Sequence, residues 1–180
     1  MTTWNVDTVF LDRDGTINVL FPDDYVKRWD EFRFLTGAPE AVARLKHAGL
    51  RVVLVTNQRG VALGRMTADD LDDVHRQMVK KIGVELDGVY ACTHDLDSCD
   101  CRKPGVGLFL RAQRDLPEID FARSAVIGDS GFDMEAGRRL GMRLVFVGGE
   151  APGDVDLVAP SLGEAVDEVL RRVGRDGRQG

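Results

Sequence analysis

The sequence predicts an α/β fold: a three-layer, Rossmann-like arrangement around a mainly parallel central sheet, with no large cap domain and with one zinc-stabilised loop. Three observations carry this reading. Short apolar runs alternate along the chain with stretches of helical period, the pattern of strands and helices wound around a parallel sheet. Each strong apolar run ends abruptly in polar residues, and in a parallel sheet such carboxyl ends share one edge, where open α/β folds bind ligands. The length of 180 residues gives one sizeable core and leaves little for a second. One domain is expected over residues 1–173, followed by a charged, frayed tail at 174–180 whose character already begins near Arg171.

The first strand, Val9-Phe10-Leu11, ends in Asp12-Arg13-Asp14-Gly15-Thr16. Gly15 lets the backbone curl, so Asp12 and Asp14 can face one ligand. Two carboxylates at close range repel each other, and a bound cation or a shared proton relieves them. A phosphate ester held there would meet Asp12 as a nucleophile, with Asp14 free to exchange protons with the leaving oxygen. An ordinary acidic surface turn is the competing reading.

Ile17 to Phe34 has no clean period and contains Pro22, Asp23 and Asp24, so a loop or small hairpin beside the site is expected, able to act as a flap. Pro39 opens a packing helix with Ala38, Val42, Leu45 and Leu50 on one face, and Gly49 stops it. His47, near its end, suits the helix dipole rather than catalysis. Arg51 to Val55 forms the second strand and ends in Thr56-Asn57-Gln58, where a hydroxyl can bond a phosphoryl oxygen next to Asp12. Gly60 and Gly64 punctuate a loop carrying Arg59 and Arg65. Thr67 then caps a helix to about Ile82 through Leu71, Val74 and Met78, with His75 as a structural or solvated histidine. Val89-Tyr90-Ala91 reads as the third strand.

Cys92, His94, Cys99 and Cys101 follow in the spacing C-x-H-x4-C-x-C, which contains all three cysteines of the chain. Three thiolates and an imidazole fill a tetrahedral zinc shell, so the ion would be structural. A disulfide or unliganded thiols are the alternatives, and an odd, clustered cysteine count suits neither a disulfide framework nor an oxidising compartment. Ala125 to Gly128 forms the fourth strand. It ends in Asp129-Ser130-Gly131-Phe132-Asp133, where a helix to about Leu140 begins and where Asp129 also reads as an N-cap. Asp12, Asp129 and the main-chain carbonyl of Asp14 make a partial oxygen shell for Mg2+. Asp133, one turn on, can hold Lys103 or a metal-bound water. Leu144 to Val147 is the fifth strand, and Leu162, Val166 and Leu170 mark a closing helix.

Asp12-Arg13-Asp14-Gly15-Thr16 resembles the first motif of the haloacid dehalogenase superfamily of phosphatases, in which the first Asp is a covalent nucleophile and the second a general acid/base. The cysteine–histidine loop running into Arg102-Lys103-Pro104 resembles the zinc-bearing, capless branch. That branch includes D-glycero-D-manno-heptose-1,7-bisphosphate 7-phosphatases and the phosphatase domain of histidinol-phosphate phosphatase. The likeness covers about Val9 to Leu144. It implies that Thr56 is the second motif, with Asn57 a substrate contact, that Lys103 is the charge-compensating third motif, and that Asp129 and Asp133 form the fourth. Arg102 offers a fork to another substrate oxygen; an ordinary solvated Arg-Lys pair is the alternative.

The expected activity is Mg2+-dependent hydrolysis of a small phosphate monoester, with structural Zn2+. The segment Asp24-Tyr25-Val26 through Trp29, Phe32 and Phe34 resembles the heptose enzymes, with Arg13, Asp24 and Tyr25 as substrate contacts and Arg59, Arg65 and Arg102 able to meet a second phosphate. The acidic loop Asp95 to Asp100 suits the cationic amino alcohol of histidinol phosphate instead. A phospho-acceptor signalling domain shares an α/β sheet and acidic pairs, but places its acceptor Asp on a later strand. A zinc-organised binding module without activity is a further alternative. Acidic residues outnumber basic ones 30 to 24, a net charge of -6 that disfavours nucleic acid as partner. No apolar run suits a signal peptide or membrane span, so a cytoplasmic monomer acting on a small phosphorylated metabolite is expected.

Overall fold

Six parallel strands in the order β3-β2-β1-β4-β5-β6 form one sheet in the computed structural model, which describes residues 3–174. The strands are β1 (Thr8–Leu11), β2 (Arg51–Asn57), β3 (Gly88–Cys92), β4 (Ser124–Gly128), β5 (Arg143–Val147) and β6 (Leu157–Ala159). Five α-helices lie between or after them: α1 (Ala38–His47), α2 (Ala68–Ile82), α3 (Gly107–Asp115), α4 (Gly131–Arg139) and α5 (Leu162–Arg172). Among the described residues there is no second sheet, and no helix is long and apolar enough to cross a membrane.

Alternation along the strands assigns the two faces. Val9, Leu11, Val52, Leu54, Ala125, Ile127, Val145 and Val147 pack with Val42 and Leu45 of α1, Val74 and Met78 of α2, and Val166 and Val169 of α5. Phe10, Val53, Val55, Val126, Leu144 and Phe146 point the other way, onto Leu108, Phe109 and Ala112 of α3 and Met134 and Ala136 of α4. Strands covered on both faces must be apolar throughout, which is why β1 and β4 are buried along their whole length.

Local chemistry sets the helix ends. Thr67 and Asp70 form a reciprocal capping box on α2, and Gly83, at φ 82°, takes the left-handed conformation that stops it. The N-cap of α4 is Ser130, paired with Asp133 in a second capping box, so the expectation that Asp129 caps this helix is corrected. Asp129 lies one residue before this N-cap and keeps its carboxylate for other partners. Arg171 and Arg172 belong to the last turn of α5 rather than to a tail; residues 175–180 of the expected tail lie outside the described residues.

The strand order reverses direction between β1 and β4, which are hydrogen-bonded neighbours. At that reversal the connections leave to opposite sides and open a crevice beyond the carboxyl ends of the strands. Asp12 follows β1 and Asp129 follows β4 at this point. The 13–36 segment between β1 and α1 is irregular, with one 3-10 turn at Trp29–Glu31 and an isolated antiparallel bridge between Asn18 and Phe34. Trp29 stacks on Phe32, Phe34 meets both rings edge-on, and the three anchor the segment to the core.

Candidate active site

The crevice holds a cleft of about 190 Å3, lined by Asp12, Asp14, Thr56, Asn57, Arg102, Lys103, Asp129 and Ser130, with Leu20, Phe21, Asp24, Tyr25 and Phe132 at its walls. That is below the roughly 300–1,000 Å3 of ordinary small-molecule sites, a size that suits the phosphoryl end of a substrate with the remainder at the rim. Four chain segments meet here because β2, β1 and β4 are adjacent and end at the same edge.

Lys103 is the pivot. Its buried ammonium donates to Asp12 Oδ1 at 2.9 Å, Asp133 Oδ1 at 2.6 Å and the carbonyl of Val55 at 2.8 Å. Burial opposes the charge, but the two carboxylates outweigh it and hold Lys103 protonated well above its usual range. The Arg13 N–H also donates to Asp12 Oδ1, at 2.7 Å, so Oδ2 is the oxygen left for another partner. Burial raises the Asp12 carboxyl far above the ordinary range, Lys103 opposes this, and Asp133 adds to it. Asp129 is likewise pushed up, to about 6, by burial and by the Asp133 charge.

Ligand atoms of Asp12, Asp129 and Asp133 lie within 4.8 Å of one another. Asp133 has no oxygen to spare: Oδ1 receives Lys103 while Oδ2 receives the Ser130 hydroxyl at 2.6 Å. Asp12 and Asp129 are therefore the carboxylates with capacity for a divalent cation, and their raised proton affinity marks negative charge that one ammonium does not neutralise. Gly15 makes the approach possible. At φ 83° it turns the chain, and a Cβ there would lie 1.9 Å from Asp129 Oδ2.

Asp14 is held on every side. Arg13 Nη2 donates to both its oxygens at 3.0 Å, Asn18 Nδ2 to Oδ1 at 2.9 Å and Gln58 Nε2 to Oδ2 at 2.6 Å. Burial acts to raise its pKa, but the Arg13 charge and these donors prevail and keep it below the usual carboxylate range. Gln58 also reaches Thr56 Oγ1 at 2.9 Å and so ties two candidate groups together. Asn57 brackets the backbone of Lys103, donating to its carbonyl at 3.1 Å and accepting from its N–H at 3.0 Å.

Two expected substrate contacts are corrected. Arg13 is fully buried; its guanidinium faces inward to Asp14 and to His75 Nε2, 3.0 Å away, because a cation beside the sheet needs acceptors there. Arg59 is not among the residues lining the cleft and pairs with Asp95 at 2.5 Å. Arg65 pairs with Asp24 and lies over the Tyr25 ring. Arg102 does line the cleft, and its Nη1 is buried with no hydrogen-bond partner. Sequence reasoning missed Gln58, whose signal was only a polar residue directly after β2, and Asn18, which stands seven residues past β1 in the irregular segment and carried no signal. It also missed the exposed rim of Leu20, Phe21 and Phe132, 51%, 37% and 56% exposed.

His75 is 6% exposed, and burial followed by the Arg13 charge pushes its pKa down to about 3. The unfolded chain binds this proton with an ordinary pKa near 6.5, so stability is lost as pH falls below that value, reaching about 2 kcal/mol at pH 5. Denaturant titrations of native protein and His75→Gln at pH 7.5 and 5 measure it. The native chain should lose more stability than the variant by about that amount; equal losses would refute the assignment.

The second cluster lies at the end of β3. His94 Nδ1 is 3.2 Å from Cys101 Sγ and 3.7 Å from Cys92 Sγ, and Cys99 Sγ is 3.5 Å from Cys92 and 3.3 Å from Cys101. The edge of a tetrahedron around zinc with ligands at 2.3 Å is about 3.8 Å, so the set is gathered at the scale of a shared ion. The sulfurs are free thiols at separations well beyond the roughly 2.05 Å of a disulfide.

Comparisons with known proteins agree with this geometry. The family model for polynucleotide kinase 3 phosphatase matches residues 8–148. A Photorhabdus laumondii protein named D-glycero-beta-D-manno-heptose-1,7-bisphosphate 7-phosphatase is 43% identical over 145 residues, 74% of this chain and 76% of its own length. A Mycobacterium bovis D-glycero-alpha-D-manno-heptose-1,7-bisphosphate 7-phosphatase is 38% identical over 156 residues, 82% of each chain. Among solved structures, the D,D-heptose 1,7-bisphosphate phosphatase of B. bronchiseptica, complexed with magnesium and phosphate, superposes with a TM-score of 0.82 at 31% identity, covering 92% of this chain and 99% of that one. The chain belongs to the haloacid dehalogenase superfamily of phosphatases, in the branch of these heptose-bisphosphate relatives.

Proposed function

We propose that this chain is a Mg2+-dependent phosphatase that removes the 7-phosphate of D-glycero-D-manno-heptose 1,7-bisphosphate through an aspartyl-phosphate intermediate. The observation that carries the reaction is the Asp12–Lys103–Asp133 triad at the floor of a cleft that Asp14 and Asp129 also line. Asp12, Asp129 and the main-chain carbonyl of Asp14 would hold Mg2+, which supplies positive charge to the phosphoryl oxygens.

The chain's own residues do the rest. Lys103 and the Thr56 hydroxyl bind phosphoryl oxygens, and Asp12 Oδ2 attacks phosphorus in line with the leaving alkoxide. As the Asp12–phosphorus bond forms and the ester P–O bond breaks, Asp14 gives its proton to the departing oxygen. The negative charge of the arriving phosphate raises the proton affinity of Asp14, which is otherwise held ionised. The resulting carboxylate then takes a proton from water as that water attacks phosphorus, releasing phosphate and regenerating Asp12.

Arg102 supports a substrate with a second phosphate. Its buried, unpartnered Nη1 at the cleft wall is a charged donor that a phosphate oxygen would satisfy. The acidic loop that would favour histidinol phosphate is not among the cleft's lining residues, and its Asp95 is occupied by Arg59. The test is phosphate release with Mg2+ from both anomers of the heptose bisphosphate and from histidinol phosphate. Repeated turnover, fastest on a heptose bisphosphate, is expected. Equal and feeble rates on all of them would overturn the substrate, and a single stoichiometric phosphorylation would overturn the enzyme in favour of a phospho-acceptor.

Cys92, His94, Cys99 and Cys101 are proposed as a structural Zn2+ site that orders the loop leading directly to Lys103. Structural zinc can contribute on the order of 10 kcal/mol. Chelation should release one zinc per chain, lower the melting temperature and abolish turnover, with recovery on adding Zn2+ together with Mg2+ but not on adding Mg2+ alone. Full activity in a zinc-free Cys99→Ser protein would refute it.

A further inference from the structure

We infer that His75, on helix α2 and outside the cleft, is a positioning residue for Asp14, acting through the buried guanidinium of Arg13. The inference rests on the acid/base role proposed for Asp14. Arg13 Nη2 donates to both Asp14 oxygens, Nη1 meets His75 Nε2 at 3.0 Å, and Nε has no partner. Among the described residues His75 is therefore the anchor at the end of the guanidinium away from Asp14.

A guanidinium has donors only, so Nε2 must accept, which makes His75 the neutral Nδ1–H tautomer. An uncharged acceptor is what this place demands: a carboxylate would compete with Asp14 for Arg13, and a second cation would repel it. Remove the acceptor, and a fully buried fork keeps a hydrogen bond on one side only. The guanidinium is then free to turn toward other partners and draw Nη2 off Asp14. Asn18 and Gln58 each hold a single oxygen of Asp14 and do not fix the carboxylate plane alone. The strut runs from α2 through the interior to the catalytic edge, joining a helix that touches no substrate to the group that moves the proton.

His75 also lines a separate cleft of about 390 Å3 with Arg76, Val79, Lys80, Glu85 and Val89. That cleft gives added imidazole a route to the place of a deleted ring.

The experiment compares native protein, His75→Ala, His75→Gln and Asp14→Asn on the heptose bisphosphate and on p-nitrophenyl phosphate, whose leaving phenolate needs no acid. His75→Ala should lower kcat on the sugar ester about 10²-fold, the cost of a misplaced catalytic group, with KM changed less than about twofold. The first-turnover release of p-nitrophenolate should stay near native, and imidazole, or the acceptor of His75→Gln, should recover most of the loss. Equal losses on the two esters, or no loss, would overturn the inference while a dead Asp14→Asn leaves the acid/base reading standing. An active Asp14→Asn would overturn both. Should His75→Ala not fold, His75→Leu fills the space without an acceptor and carries the same comparison.

Discussion

Phosphate release should fall on the order of 10⁴-fold or more in Asp12→Asn, the scale on which nucleophile removal acts. The loss should come without loss of fold. Asn keeps the shape of Asp and its Oδ1 acceptor for Lys103 and the Arg13 N–H, and it removes one of three crowded carboxylates whose burial is unfavourable. In Mg2+-free buffer the variant should unfold at the same or higher denaturant concentration than the native chain. Acid-quenched native protein should carry phosphate on Asp12, and the variant should carry none. Substantial turnover by Asp12→Asn would remove the covalent mechanism, whatever the fold.

Lys103→Met should be inactive as well, but for a reason that shows in stability. The native ammonium faces Asp12 and Asp133, with side-chain exposures of 2%, 12% and 0%. Removing one partner from a buried ionic set leaves charge uncompensated and costs about 3–5 kcal/mol. The loss should be largest without Mg2+, because a cation between Asp12 and Asp129 screens the same carboxylates. No chelator belongs in that experiment, since it would strip the cysteine–histidine cluster. Adding Asp133→Asn to Lys103→Met should restore part of the stability and none of the activity, which separates the structural from the chemical role of the lysine. If Lys103→Met is as stable as the native chain without Mg2+, the buried triad is not held as described.

The acidic pairs and the hydroxyl were legible because each stands at the end of an apolar run, and strand ends of a parallel sheet share an edge; Lys103 was marked by the resemblance of the Arg102-Lys103-Pro104 segment that follows the cysteine–histidine loop. Helix α3 and strand β6 were not read. α3 begins at Gly107, three residues after Pro104, with no side-chain cap and only nine residues, too short for its apolar face of Leu108, Phe109 and Ala112 to stand out. β6 has three residues, and its pairing with β5, not its own pattern, makes it a strand.

From the order of residues alone came the fold class, the identity of the acidic, hydroxyl and ammonium groups at the cleft, and the four members of the cysteine–histidine cluster. Periodicity and spacing are local properties, and the chain carries them wherever it folds. Only the tertiary structure decided which way each side chain points. It turned Arg13 inward to Asp14 and His75, paired Arg59 with Asp95, gave the α4 cap to Ser130 and left Arg102 with a buried donor unmet. A charged side chain goes where the surrounding elements supply an opposite charge or an acceptor, and for Arg13 one such partner, His75, lies 62 residues away along the chain.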